Sequence, residues 1–225
     1  PPRSTQGVSS AASDVYKRQA FPVGGALALH AHQGVKIRLV TTTLGEEGEI
    51  RQPGLATQET LGLTRKLELA ASAETLGIHE HSVLGYRDSG MAGTPPNNHP
   101  DAYINVPDEL IVEQLVKHIR EFKPQVLLTF EKGGLYGHPD HIAISRQTTQ
   151  AFKLAGDSSQ FAQQLVEGLQ THKPERLFYS ARPVGFRMEW ALKLQEAGVE
   201  IELPTPERAS EGTPADEIHL EMDVS

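Results

Sequence analysis

Residues 126–141 have the sequence VLLTFEKGGLYGHPDH, an apolar run followed at once by a segment rich in glycine and histidine. The run Val126–Phe130 is typical of a central parallel strand covered on both faces. The glycines after it permit a tight loop, and Pro139 suits the first position of a helix. The stretch therefore predicts a strand, a loop and a helix, with polar residues at the carboxyl end of the strand, where parallel sheets bind ligands.

The same alternation of strands and helices extends along the chain in both directions. Hydrophobic patterns predict helices over residues 24–33, 57–76, 107–122 and 186–196, and strands over 35–43, 81–86 and 176–180. A further alternating pattern predicts a strand at 218–224. Strands separated by helices imply right-handed crossovers, so the expected fold class is α/β, a Rossmann-like, doubly wound and mostly parallel sheet.

Composition excludes several classes of protein. The 225 residues carry a net charge of −8, which argues against a general nucleic-acid or anionic-membrane binder. No apolar run approaches the length of a membrane span. Cysteine is absent, so any transition-metal site must use the ten histidines together with aspartate or glutamate. Together with the lack of a signal peptide, these features predict a cytoplasmic bacterial protein.

The histidines of the glycine-rich segment are the leading candidates for chemistry. His138 and His141 are three residues apart in the first turn of the predicted helix, so they share a face. One can hold a metal ion while the other reaches a group bound to that ion, and Asp140 can orient an imidazole. The alternative is structural: His138 caps the helix and His141 lies in a polar pocket. The spacing alone leaves both interpretations open.

Other polar features follow the other strands. The acidic turn 46–49 either binds a polar ligand or is a solvated turn. Arg65 lies on a leucine-rich helix, where an ion pair with Glu68 is the simpler interpretation. Asp88 follows a predicted strand and is either functional or a turn-forming residue.

The first 19 residues differ from the rest of the chain. They lack hydrophobic periodicity, and residues 8–19 (VSSAASDVYKRQ) look like translated adapter or assembly sequence. An ordinary flexible tail is the alternative. We expect 1–19 to be a non-native tail and 20–225 to be a single incomplete domain, truncated at both ends.

Four stretches together resemble one known family. They are Gly24-Gly25, TLGEEGE at 43–49, RDSGMAGT at 87–94 and GGLYGHPDH at 133–141. With Arg65, they are similar to the PIG-L/LmbE-like zinc-dependent N-acetylglucosaminyl deacetylases, and most similar to the branch that includes mycothiol-pathway deacetylases.

The resemblance implies roles for individual residues. His141 matches the family's metal-ligating histidine, His138 the histidine that stabilises the oxyanion, and Asp140 the aspartate that supports this pair. Positions implicated in substrate binding are matched by Glu49, Arg65, Asp88 and Tyr136. The implied cofactor is one catalytic Zn²⁺, the substrate a small amino sugar, and the reaction hydrolysis of its N-acetyl group.

One departure from the family pattern has a large consequence. The family carries Ala-His-Pro-Asp-Asp-Glu near the point that is Ala20 here, and two metal ligands and the general base come from it. Residues 13–19 of this chain contain no histidine. We therefore expect the chain as it stands to bind zinc poorly and to hydrolyse little.

Two other classes of protein compete with the enzyme. The first is a non-catalytic, sugar-binding homologue that lacks the N-terminal metal motif. The second is a nucleotide-binding transferase, which the sequence disfavours because no G-x-G-x-x-G joins a first strand to a helix.

Overall fold

The computed structural model describes residues 8–11, 23–50 and 54–224. The chain divides into two compact units, Pro1–Ser180 and Ala181–Ser225. Among the described residues, none of the helices has the length and apolar character that crossing a membrane requires.

The first unit contains a five-stranded sheet in which every pair of neighbours is parallel. Its strands are β1 (Val8–Ala11), β2 (Ile37–Thr41), β3 (Glu80–Val83), β4 (Val126–Phe130) and β5 (Arg176–Ser180), in the spatial order β3-β2-β1-β4-β5. The order reverses at β1, as in a doubly wound sheet. The predicted fold class is therefore confirmed.

The helices of this unit alternate with the strands. They are α1 (Gly25–His32), α2 (Leu61–Thr75), α3 (Asp108–Phe122), α4 (Pro139–Leu154) and α5 (Ala162–Val166). Shorter 3₁₀ turns lie at Pro95–Asn98 and Tyr103–Asn105, and a single helical turn at Gly134–Gly137. The helices and strands predicted within this unit all form, and several of them are a few residues shorter than predicted.

Helix α3 shows how the sequence pattern builds the core. Its buried apolar side chains recur at helical spacing and form one face: Ile111, Val112, Leu115, Val116 and Ile119. They belong to one cluster with buried residues of β2 and β4, including Leu39 and Leu127. This packing fixes β4, and the loop after β4 carries the candidate site.

Part of the predicted non-native tail is described. Val8–Ala11 form β1 and pair with both β2 and β4. The remaining tail residues, 1–7 and 12–19, lie outside the described residues. The non-native origin of 1–19 and the single-domain assignment of 20–225 stay predictions.

The second unit contains α6 (Phe186–Glu196), α7 (Pro206–Ser210) and a 3₁₀ turn at Ala215–Glu217. Helix α6 has the predicted bounds. The strand predicted at 218–224 is wrong, since these residues form no strand and Leu220, Met222 and Val224 are exposed. An alternating pattern becomes a strand only beside a partner that takes its backbone hydrogen bonds, and the described part of this unit has no strand.

The end of α3 offers a test of backbone strain. Lys123 adopts a left-handed conformation (φ 53°, ψ 52°) that costs a non-glycine residue about 1–2 kcal/mol. We expect Lys123→Gly to raise the free energy of unfolding by up to about 1 kcal/mol, because glycine loses more freedom on folding and offsets part of the gain. Urea unfolding measures the change. Lys117→Gly, inside the same helix, should be destabilising instead.

Candidate functional site

The candidate site forms where β4 ends and α4 begins. Pro139 is the first residue of α4, and His138 caps the helix, its Nδ1 accepting a hydrogen bond from the Asp140 N–H (3.2 Å). His138, Asp140 and His141 are all buried, with exposed fractions of 3%, 0% and 0%. The interpretation of His138 as a helix cap is therefore correct. The capped turn also brings three titratable side chains together.

The cap decides which nitrogen of His138 carries the proton. Since Nδ1 accepts the Asp140 N–H, the neutral ring holds its proton on Nε2. That nitrogen faces Asp88, whose Oδ1 is 3.7 Å away. In this arrangement His138 presents a hydrogen-bond donor at Nε2.

His141 has the opposite arrangement. Its Nδ1 is 3.0 Å from the carbonyl oxygen of Gly134, which can only accept, so Nδ1 carries the proton and Nε2 keeps a lone pair. The ring stacks on Phe130 with centroids 4.1 Å apart and an interplanar angle of 3°. Tyr136 meets it edge-on, with centroids 5.0 Å apart and an angle of 84°. These contacts hold the ring in one orientation, with Nε2 able to bind a metal ion.

Two carboxylates adjoin the histidines. Asp140 Oδ2 accepts from the Ser89 N–H (3.2 Å), whereas Oδ1 is buried with no hydrogen-bond partner in the described part of the chain. Burial, and then the nearby Asp88 charge, raise the pKa of Asp140 to about 7. Asp88 accepts from the Gly90 N–H (2.8 Å) and the Glu47 N–H (3.2 Å). It therefore shapes a turn and also lies at the site.

The residues present can hold a divalent metal ion. Ligand atoms of Asp88, His138 and Asp140 lie within 4.8 Å of one another, and all three residues are buried. Imidazole and carboxylate are suitable ligands for zinc. His141 is outside this group of three, but its ring centroid is 5.0 Å from that of His138. The proton positions favour His141 over His138 as the imidazole ligand.

The acidic turn 46–49 is linked to the site from the other side. Asp88 N–H donates to Glu46 Oε2 (3.3 Å), and Arg87 forms an ion pair with Glu47. Partial burial raises the pKa of Glu46. The turn is therefore a structured part of the site's surroundings and not merely a solvated acidic turn.

Arg65 and Glu49 lie farther out on this turn. Arg65 Nη1 donates to the Gly45 carbonyl, and a Cβ on Gly48 would clash with the Arg65 guanidinium. Glu49 is exposed. The structure brings Asp88, Tyr136, His138, Asp140 and His141 together, while Arg65 supports the backbone of the turn. The substrate-binding roles of Glu49, Arg65, Asp88 and Tyr136 stay predictions.

Sequence reasoning missed several residues that build the site. Phe130 supplies the surface on which His141 stacks, and Ser89 donates its backbone N–H to Asp140. Glu131 binds the loop that follows β4 by accepting the Leu135 N–H. A backbone donor such as Ser89 leaves no signal in the sequence. Glu131 does leave one, since an acidic residue two positions before a glycine pair is placed to accept backbone N–H groups of the loop, here those of Gly133 and Leu135.

Comparison with known proteins identifies the family. The family model described as PIG-L, GlcNAc-PI de-N-acetylase, matches residues 19–152, more than half of the chain. The chain belongs to the PIG-L family. The matched residues include β2, β3, β4 and every candidate site residue.

Curated relatives carry the names of enzymes. The chain is 39% identical over 174 residues to a 1D-myo-inositol 2-acetamido-2-deoxy-alpha-D-glucopyranoside deacetylase of Thermobispora bispora, covering 73% of this chain and 56% of that protein. The chain spans about half of the length of the curated relatives it matches.

Solved structures share the fold. The N,N'-diacetylchitobiose deacetylase of Pyrococcus horikoshii has a TM-score of 0.60 at 19% identity, covering 79% of this chain and 59% of that one. The 4-carboxy-2-hydroxymuconate hydratase GalB of Pseudomonas putida has a TM-score of 0.57 at 22% identity, covering 76% and 64%. A deacetylase and a hydratase thus share this fold, so the function must be argued from the site.

Proposed function

We propose that this chain carries part of the active site of a zinc-dependent N-deacetylase that acts on an N-acetylglucosaminide. The observation that carries the proposal is the pair of opposed histidines, His141 with a lone pair at Nε2 and His138 with a proton at Nε2. Membership of the PIG-L family and the name of the Thermobispora relative support the reaction and the substrate class. A cytoplasmic location stays a prediction.

The chain's own residues divide the chemistry between them. His141 and a neighbouring carboxylate would hold the ion, which when bound polarises the amide carbonyl and lowers the pKa of water. His138 Nε2–H can donate to the oxygen on which negative charge develops during amide hydrolysis. The Ser89 N–H fixes the Asp140 carboxylate near the His138 ring. Burial of all three excludes competing water and strengthens each interaction.

A non-catalytic, sugar-binding homologue is the second candidate. One observation favours it: residues 13–19 contain no histidine, so two of the family's metal ligands are missing from this stretch. Two forms of the protein separate the candidates, the chain as it stands and a form with Ala-His-Pro-Asp-Asp-Glu placed before Ala20. We expect release of free amine from N-acetylglucosaminyl-inositol, or from another N-acetylglucosaminide in a panel, by the second form alone. Activity in neither form on any member of the panel would support the non-catalytic homologue.

Substitution of the two histidines tests their separate roles. In the restored form, His141→Ala should weaken zinc binding by more than the roughly 10–100-fold cost of losing an outer hydrogen-bond partner. His138→Ala should retain zinc and lower kcat by about 10²–10³-fold, the usual cost of one oxyanion donor. Calorimetric zinc titration and steady-state kinetics measure the two effects. If His138→Ala loses the metal and His141→Ala keeps it, the roles are reversed and Asp88, His138 and Asp140 form the metal site.

A further inference from the structure

One peptide unit lies between Glu131 and His141. The N–H of Leu135 donates to Glu131 Oε1 at 2.6 Å, and the carbonyl of Gly134 accepts from His141 Nδ1 at 3.0 Å. This N–H and this carbonyl belong to the same planar amide and point in opposite directions. The carboxylate and the imidazole are therefore bound to the two ends of one amide dipole.

The other oxygen of Glu131 strengthens the arrangement. Glu131 Oε2 accepts from the N–H of Gly133, so the half-buried carboxylate binds two backbone donors of the same loop. Hydrogen bonds to a charged acceptor are the stronger kind. The carboxylate thus fixes the backbone on both sides of Gly134.

The loop has a conformation that needs such support. Leu135 has φ 68° and ψ −35°, which lies outside the regions that side chains ordinarily adopt. Strain of this kind costs about 1–3 kcal/mol and persists only where the surrounding structure holds it. Release of the Leu135 N–H would let the Gly134–Leu135 amide rotate, and the carbonyl would leave His141.

We propose that Glu131 is a positioning residue that acts on His141 through the Gly134–Leu135 amide. The carboxylate holds the amide in place and polarises it, so that the carbonyl oxygen becomes a better acceptor for the Nδ1 proton. This fixes the proton on Nδ1 and increases the electron density on Nε2. A histidine that binds a metal ion commonly donates its other N–H directly to a carboxylate. Here the Gly134–Leu135 peptide group lies between the His141 ring and the Glu131 carboxylate.

The inference rests on the proposed function only for the reason why His141 needs to be positioned. The hydrogen bonds themselves exist whether or not His141 binds a metal ion. The test therefore uses the metal-free chain as it stands. Nitrogen-15 NMR of the histidine rings, at a pH where they are neutral, reports which nitrogen of His141 carries the proton. We expect the Nδ1–H form in the unchanged chain, with slow exchange of that proton because the ring is buried.

Three variants make the test specific. Glu131→Ala should convert His141 to a mixture of the two neutral forms and speed exchange of its ring proton by at least about tenfold. Glu131→Gln, which keeps one oxygen for the Leu135 N–H, should retain more of the Nδ1–H form than Glu131→Ala. Lys132→Ala removes an exposed charge from the same loop and should leave the spectrum unchanged. The inference is wrong if Glu131→Ala gives the same His141 signals as Lys132→Ala, or if the Gln variant restores none of the change.

A zinc titration separates this inference from the proposed function. If the restored form binds zinc through His141, Glu131→Ala should weaken that binding by roughly 10–100-fold. If the restored form does not bind zinc, the proposed metal centre fails, while the ring-proton result still decides the role of Glu131. Urea unfolding of each variant confirms that the spectra come from folded protein, and the Gln variant provides the comparison if the Ala variant does not fold.

Discussion

Replacing Arg120 with leucine should lower the free energy of unfolding by about 3–5 kcal/mol, a large part of the roughly 5–15 kcal/mol that stabilises a domain. Arg120 lies in α3, and its side chain is completely buried. It donates to four backbone carbonyls and one side-chain oxygen, at distances of 2.8–3.2 Å: Ala155, Asp157, Gln160 and Phe161, and Gln164 Oε1.

The expected loss comes from the acceptors as much as from the arginine. Leucine fills much of the space but leaves buried carbonyls without donors, and each buried unsatisfied group costs about 1–3 kcal/mol. Phe161, one of the five residues that accept, has a left-handed backbone at φ 48°, and its carbonyl accepts from the guanidinium. Without Arg120, the segment 155–164 loses the group around which it folds.

Urea unfolding measures this effect, and a second arginine provides the control. Arg146 of α4 pairs with Asp108 at 2.8 Å, but its side chain is 53% exposed. Exposed pairs contribute at most about 1 kcal/mol, so Arg146→Leu should change stability little. Equal losses for the two variants would show that the buried hydrogen bonds do not stabilise the fold. Arg120→Lys should lose an intermediate amount of stability, because lysine donates in fewer fixed directions.

Arg120 also shows where prediction from the sequence ends. The bounds of α3 and its apolar face follow from periodicity, because a helix meets the sheet along one stripe. The acceptors of Arg120 lie 35–44 residues later in the chain. No local pattern relates a helical arginine to carbonyl groups of a distant loop, so its burial depends on tertiary structure alone.

The candidate site divides in the same way. His138, Asp140 and His141 are close in sequence, so a helix start after a buried strand is sufficient to predict their proximity. The proton positions on the two rings were not predictable, because they depend on a cap geometry and on the direction of the Gly134 carbonyl. Residues 218–224 illustrate the converse, since their strand pattern finds no partner strand in the described part of their unit.

Gly134→Ala should be the most damaging substitution in the loop that carries Tyr136. Gly134 has φ +66°, where any side chain is strained by about 1–2 kcal/mol. Its added Cβ would lie 2.8 Å from the Cβ of His141 and 3.0 Å from the backbone nitrogen of Ile142. Neither atom is the end of a flexible chain, so the loop and the start of α4 must move apart.

Gly137→Ala is the matched control, because it separates backbone strain from the clash. Gly137 is also left-handed, at φ +83°, but its added Cβ would have no heavy atom within 4 Å. Both variants should be less stable than the unchanged chain, because alanine is strained at a left-handed φ. Gly134→Ala should lose about 1–3 kcal/mol more, the usual cost of overpacking, and should also disturb the His141 ring signals. Urea unfolding and histidine NMR measure these effects together. Equal losses, with an unchanged His141 spectrum in both variants, would mean that the contact between Gly134 and α4 does not hold the ring in place.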